Sequence, residues 1–276
     1  MLYRADYTTA ADFYAAAAGP SDWPADKRRS DSRGARRTEW TGSKSLPAAL
    51  ATARAGWIEG TRAFAEALDG LVEHQRRAGW KRTGYDRAGD ELDTDRLFGR
   101  DPEPWAVYTK KKRAKRVHSI LVAASYPYTI GEPEAREYFA GLAALVAGIE
   151  SAGDSVAITL GFAVDADDVQ CRARVTLKAA GEPLTALALA FPLCHPSAFR
   201  RVWFAWTEAR LPWKVADAVE WHAHYGIPRD CSDLTWPGEY LTPRLTGSAL
   251  ADMRRDGAAD YWSSWWRTMA AQSAAA

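Results

Sequence analysis

Hydrophobic spacing along the chain changes period several times, and the clearest change lies in the middle. His118 to Ala124 is a short apolar run flanked by turn material, and Ser155 to Ala163 is a second. Between them Pro133 opens a segment in which Tyr138, Leu142, Leu145, Val146 and Ile149 share one helical face, and Gly153 closes it. Strand, helix of about five turns and strand in that order predict a right-handed βαβ crossover between parallel strands. Asp165, Asp167 and Asp168 then mark a turn, and Cys171 to Leu177 alternates apolar residues with Arg172 and Arg174. That alternation predicts a half-exposed antiparallel edge strand.

The flanks read as helical. Thr8 and Thr9 precede an alanine-rich helix from Ala10 to Ala18, closed by Gly19 and Pro20. Ser45 is placed to cap a helix over Leu46 to Arg54, with Pro47 in its first turn and Gly56 at its end. Phe64, Leu68, Leu71 and Val72 form one stripe of a helix over Glu59 to Arg77, and the two helices are expected as an antiparallel pair. Leu187, Leu189, Phe191 and Leu193 alternate as in a strand, yet the alanine spacing also fits a helix, so residues 184–193 stay open between the two. Pro196 starts a helix through Arg210, Pro212 another to about His224, and a C-terminal helix over Gly247 to Ala270 carries Trp262, Trp265 and Trp266. The expected fold is α/β, a βαβ-containing mixed sheet flanked by helices with helical N- and C-terminal extensions. The expected units are a helical arm (1–20), a mobile linker (21–39), a helical hairpin with an irregular segment (40–116), an α/β core (117–246) and a C-terminal helix with a frayed tail (247–276).

Composition narrows the function classes. With 47% hydrophobic residues among 276, the chain can bury a real core. Lys and Arg number 36 against 35 Asp and Glu, so no global field draws nucleic acid or an anionic membrane. Cys171, Cys194 and Cys231 are odd in number and irregularly spaced, which supports neither a disulfide framework nor a zinc site and fits a reducing cytosol. The first residues lack the basic start and apolar run of a signal peptide, and apolar stretches stop well short of the ~20 residues of a bilayer span. A cytoplasmic protein with no membrane insertion is expected.

Candidate chemistry is sparse. Gly42-Ser43-Lys44-Ser45 ends like a phosphate loop but lacks the earlier glycine and the preceding strand. Lys110, Lys111, Lys112, Arg113, Lys115 and Arg116 form the densest charge run, with Trp105 and Tyr108 close by for base stacking; the alternative is a solvated loop. Glu220, His222 and His224 are ligand types, but on a helix the two histidines point about 200° apart. Cys194 and His195 are adjacent and so poorly placed as nucleophile and base. Arg200 and Arg201 suit a carboxylate or phosphate, or pairing with acidic neighbours at a surface. Tryptophans crowd the last third, where those left outside the core would mark a protein interface.

Two stretches, Trp40-Thr41-Gly42-Ser43-Lys44-Ser45-Leu46 continuing to Gly56-Trp57-Ile58-Glu59-Gly60, and the βαβ segment continuing to His195-Pro196-Ser197-Ala198-Phe199-Arg200-Arg201, resemble an uncharacterised protein family of bacteriophages, prophages and actinobacterial mobile elements. The resemblance covers most of residues 40 to 210 and implies no activity. The strand, long helix and second strand are also similar to the opening of a von Willebrand factor A domain. Such domains hold a divalent ion after the first strand with an Asp and two serines, whereas Ala123-Ala124-Ser125-Tyr126-Pro127-Tyr128 has no Asp, so the ion site is expected to be lost.

These readings together predict a non-catalytic phage or mobile-element accessory protein without a cofactor, acting on an unidentified protein partner, with Arg200, Arg201, Trp262, Trp265 and Trp266 as candidate partner surface. The alternatives are nucleic-acid binding through residues 110–116 and a hydrolase whose site is assembled from distant residues.

Overall fold

The two apolar runs pair as parallel neighbours, Val117 against Ser155 through Ala123 against Gly161, with the predicted helix between them. The structure, a computed structural model, describes residues 1–31, 40–75, 80–88, 91–110, 115–221 and 229–275. In chain order its elements are β1 (Leu2–Tyr7), α1 (Ala10–Ala17), α2 (Leu46–Ala55), α3 (Ile58–Gln75), β2 (Trp80–Asp86), β3 (Glu91–Leu92), α4 (Thr94–Phe98), β4 (Trp105–Lys110) and β5 (Val117–Ala123). There follow α5 (Glu132–Ser151), β6 (Ser155–Ala166), β7 (Val169–Lys178), α6 (Ala186–Cys194), a π-helical turn (Ala198–Trp203), α7 (Phe204–Arg210), α8 (Trp213–Ala218), β8 (Glu239–Leu241), α9 (Gly247–Asp256) and α10 (Ala258–Ala275).

The main sheet runs β1-β7-β6-β5-β8 and is mixed: β6 and β7 form an antiparallel hairpin, and the other neighbours are parallel. Its strands divide their side chains between two faces, as the period of two requires. Ile120, Val122, Leu160 and Phe162 face the large core beneath α5, α6 and the π turn, while Leu121, Ala123 and Ala163 face a small cluster closed by Cys231 and Leu234. Phe162 stacks on Trp203 at 4.5 Å, which ties the sheet to the π turn. Asp167 takes the left-handed conformation at φ 49° in the hairpin turn, as a short polar residue can.

Several local expectations meet a different outcome. β7 is not an edge, because β1 pairs beside it in register from Leu2↔Gln170 to Tyr7↔Val175. Arg172 and Arg174 are buried, since residues 231–239 cover that face and bring Asp233 and Glu239 to them; Arg174 meets Glu239 in a two-pronged pair at 2.6 and 2.8 Å. Residues 21–31 are not a solvated linker: Trp23 is 1% exposed and its indole N–H donates to Leu211 O at 2.7 Å. α2 and α3 do not form the expected pair. α3 lies on α5 and α6, and α2 on the π turn and α1. Residues 80–110 contain a three-stranded antiparallel sheet, β2-β4-β3, where an irregular segment is expected. The open segment 184–193 is helical from Ala186, capped by the Thr185 hydroxyl, which accepts from Ala188 N. Gly257, at φ +85°, breaks the C-terminal helix in two. No described helix is long and apolar enough to cross a membrane.

Candidate functional site

The two stretches that carry the sequence resemblance meet in space. Ser197 sits between α6 and the π turn, and its hydroxyl donates to Thr41 O at 2.6 Å and lies 2.8 Å from Ser43 Oγ. Residues 40–45 are thereby held against residues 195–201. A π turn fits here because it widens the helix by one residue per turn, a device frequent at functional positions. All six of its side chains are buried.

Two guanidinium groups fasten the junction. Arg201 is 0% exposed; its Nε and Nη2 donate to Ser43 O at 3.1 and 2.8 Å, and its Nη1 to Ser30 O at 2.7 Å. Ser30 is gripped from the other side by Glu208, whose carboxylate accepts from Arg29 N at 2.8 Å, Ser30 N at 3.1 Å and the Ser30 hydroxyl. Arg200 donates to Trp40 O at 2.7 Å and Ile130 O at 2.9 Å, with longer contacts to Pro127 O and Tyr128 O at 3.4 Å. Its guanidinium carbon also lies 5.3 Å from the Trp40 ring and 5.6 Å from that of Tyr126. Burial lowers the pKa of both arginines, and the charge of Asp31 offsets part of this at Arg201. Backbone carbonyls supply the partial negative charge that makes burying each cation tolerable.

Three glycines make the close packing geometrically feasible. Gly42 adopts φ +75°, and a Cβ there would stand 3.1 Å from the His195 ring and 3.2 Å from Pro196. Gly56, at φ +86°, ends α2 with Leu187 pressed against it, where a Cβ would come to 2.7 Å. Gly60 lies under the Trp57 indole, which a Cβ would meet at 2.1 Å. The indole of Trp57 can fold back over the first turn of α3 because position 60 has no side chain. It then stands edge-on to His195, with centroids 4.6 Å apart, while Phe191 stacks on the same imidazole at 5.0 Å.

The chemistry of His195 and Cys194 follows from that enclosure. His195 Nδ1 accepts from Ser197 N at 3.1 Å, which places the ring proton of the neutral form on Nε2. Burial pulls its pKa down to about 4, so the ring is uncharged at neutral pH. Burial pushes the Cys194 thiol well above its ordinary value, and those of Cys171 and Cys231 up to about 12. All three are thiols rather than thiolate nucleophiles at neutral pH.

The loop after β5 does not suit a divalent ion. Ser125 is buried, residues 123–128 contain no carboxylate, and the Arg200 guanidinium is bonded to the carbonyls of 127, 128 and 130. Hard cations require anionic oxygen ligands, and a fixed positive charge beside the loop opposes them. Among the described residues no group of three His, Cys, Asp or Glu could hold a metal ion. His222 and His224 lie outside the described residues.

The candidate partner surface is corrected by burial. Arg200, Arg201 and Trp262 are interior, with Trp262 Nε1 donating to Tyr138 O at 3.2 Å across α5. Trp265 and Trp266 are half-buried, and Trp266 packs edge-on against His118 at 4.9 Å and Tyr240 at 5.1 Å. Of the basic run, Lys111, Lys112 and Arg113 lie outside the described residues, Lys110 ends β4, and Lys115 and Arg116 are exposed. Among the described residues, apolar side chains that face solvent beside the junction include Ile58, 78% exposed, and Leu187, 59% exposed. Sequence reasoning passed over both; the signal is Gly56 and Gly60 bracketing Trp57 and Ile58.

A family model described as a domain of unknown function, DUF7192, matches residues 2–251. No curated protein and no solved structure matches the chain.

Proposed function

We propose that this chain, which belongs to the DUF7192 family, is a non-catalytic accessory protein of a phage or mobile element that works by binding another protein. The observation that carries the reading is the division of labour at the junction of residues 40–60 with 187–201. Ser197, Arg200 and Arg201 are committed to internal carbonyls, while Ile58 and Leu187 stand in solvent near Gly56. Large apolar side chains on a rigid, over-determined support are the kind of anchor from which protein interfaces are built. The order β5, α5, β6 with antiparallel β7 outside β6 supports a von Willebrand A-like core for that support.

A nucleic-acid reading draws on charge placement in the small sheet. The β2–β4 register sets Trp80, Lys81 and Arg82 opposite Lys110, Thr109 and Tyr108, at the end that continues into residues 111–116. Asp86 stands at the opposite end, across from Trp105.

Affinity capture of tagged protein from its native cells, after nuclease treatment, separates the two. The protein-partner reading predicts a specific protein retained by the wild type and lost from the I58D/L187D variant at equal folded protein. Identical capture by both forms contradicts the proposed surface, and loss of all capture with the nucleic acid replaces it by the basic run.

A further inference from the structure

The main sheet ends at β1, and no described strand covers the outer edge of that strand. Gln170 N donates to Met1 O at 2.8 Å, so the odd-numbered residues of β1 turn their backbone groups toward β7. In a parallel ladder such residues alternate with those facing away, which leaves the N–H and C=O of Leu2, Arg4 and Asp6 directed outward. The side chains alternate in step: Leu2, Arg4 and Asp6 are exposed, and Tyr3, Ala5 and Tyr7 are half-buried against the core.

We propose that β1 is a self-association edge, on which a second copy of this chain pairs its own β1 antiparallel about Ala5 and joins the two sheets into one. The occupant follows from the charges. Directly opposed residues of neighbouring strands point to the same face, so a pairing that keeps each core on its own side must match odd residues with odd and even with even. Three registers with a twofold axis satisfy this over the strand's centre. Centring on Arg4 sets Arg4 against Arg4, and centring on Asp6 sets Asp6 against Asp6; like charges directly opposed are destabilising. Centring on Ala5 sets Arg4 of each copy opposite Asp6 of the second copy, twice, and Tyr3 opposite Tyr7.

That register also satisfies the backbone. Arg4 and Asp6 are the residues with outward N–H and C=O, so each Arg4–Asp6 match is a hydrogen-bonded pair and Ala5 faces Ala5 across the non-bonded site. Charged residues ordinarily guard an exposed strand edge against pairing. Opposite signs two residues apart convert the guard into a register selector, because the strand is complementary to itself in one alignment. A contact limited to a six-residue edge belongs to the weak, transient class.

Sedimentation velocity over a series reaching on the order of 100 µM reads the association. Wild type is expected to shift from monomer toward dimer. R4D alone and D6R alone each oppose like charges and are expected to weaken it at least ~10-fold, the scale of two lost cross-strand pairs. An equimolar mixture restores the dimer, because every opposed position then carries opposite signs. A5C in an otherwise wild-type chain gives a disulfide-linked dimer on mild oxidation, since Cα atoms across a non-bonded pair lie about 4.5 Å apart, inside the disulfide range. A wild-type chain that stays monomeric throughout, single variants that associate like wild type, or a mixture that fails to recover overturns the proposal.

Discussion

Replacing Arg201 with alanine is expected to lower the unfolding free energy by about 1.5–3 kcal/mol, the range for a hydrogen bond to a charged group. The side chain is fully buried, and its donations from Nε, Nη1 and Nη2 hold residues from opposite sides, Ser43 of the 40–45 stretch and Ser30 of the segment gripped by Glu208. Truncation takes the guanidinium donor from Ser30 O and leaves Ser43 O with the Thr41 hydroxyl at 3.0 Å, and an unmade buried hydrogen bond costs more than a made one contributes. R201K recovers only part of the loss, because one ammonium cannot reach both sides in the plane of a guanidinium fork. Urea unfolding with an unchanged slope checks the value, and a loss under about 1 kcal/mol would mean that Arg201 is incidental to the junction.

Acidification is expected to cost about 3 kcal/mol through His195 alone. Its pKa is near 6.5 in the unfolded chain and about 4 in the folded one, so between these values the unfolded state binds more protons at this site. Stability from the neutral ring is fully present above the unfolded value, declines as pH falls through the window and is gone below the folded value. The physical cause is the enclosure by Trp57 and Phe191, which removes water from the charged form. His195→Asn keeps an acceptor close to the Nδ1 position and cannot titrate. Comparing wild type with this variant at about pH 7 and about pH 4.5 isolates the contribution: the variant should lose the smaller amount, and equal losses would place the acid sensitivity elsewhere.

What the chain reveals of its own fold depends on how local the determining contacts are. The β5-α5-β6 unit is legible because each element carries its own period and its own stops, including Gly131 N donating to Glu134 Oε2 at 3.2 Å at the start of α5. Ser45 is legible as a cap because its acceptor needs only Ala48 N, at 3.3 Å. β1 is not: Leu2–Tyr7 is short, and its partner is β7, far along the chain. β2 escapes notice because Trp80–Asp86 carries Lys81, Arg82 and Gly84 where apolar alternation would announce a strand, and β4 because its apolar run is only four residues long, Trp105 to Tyr108.

The candidate site is half legible by the same criterion. The two stretches quoted for the resemblance are the ones that meet, but their role depends on burial that sequence does not display. Arg200 and Arg201 read as surface cations because lone buried arginines are rare. Their compensation comes from carbonyls at positions 30, 40, 43 and 130, each distant in sequence. Ile58 reads as core by composition and stands in solvent because Gly56 and Gly60 turn Trp57 inward in its place.

The meeting of residues 40–45 with 195–201 supports everything proposed for the exposed rim, and a disulfide tests it most directly. Ser43 Oγ and Ser197 Oγ lie 2.8 Å apart, so S43C/S197C should close on mild oxidation of the folded protein. The native cysteines are buried and carry raised pKa values, which keeps them out of the reaction. The account predicts a product two hydrogen atoms lighter, with a higher melting temperature than its reduced form. Two introduced thiols that both remain alkylatable after oxidation of a natively folded variant would contradict it.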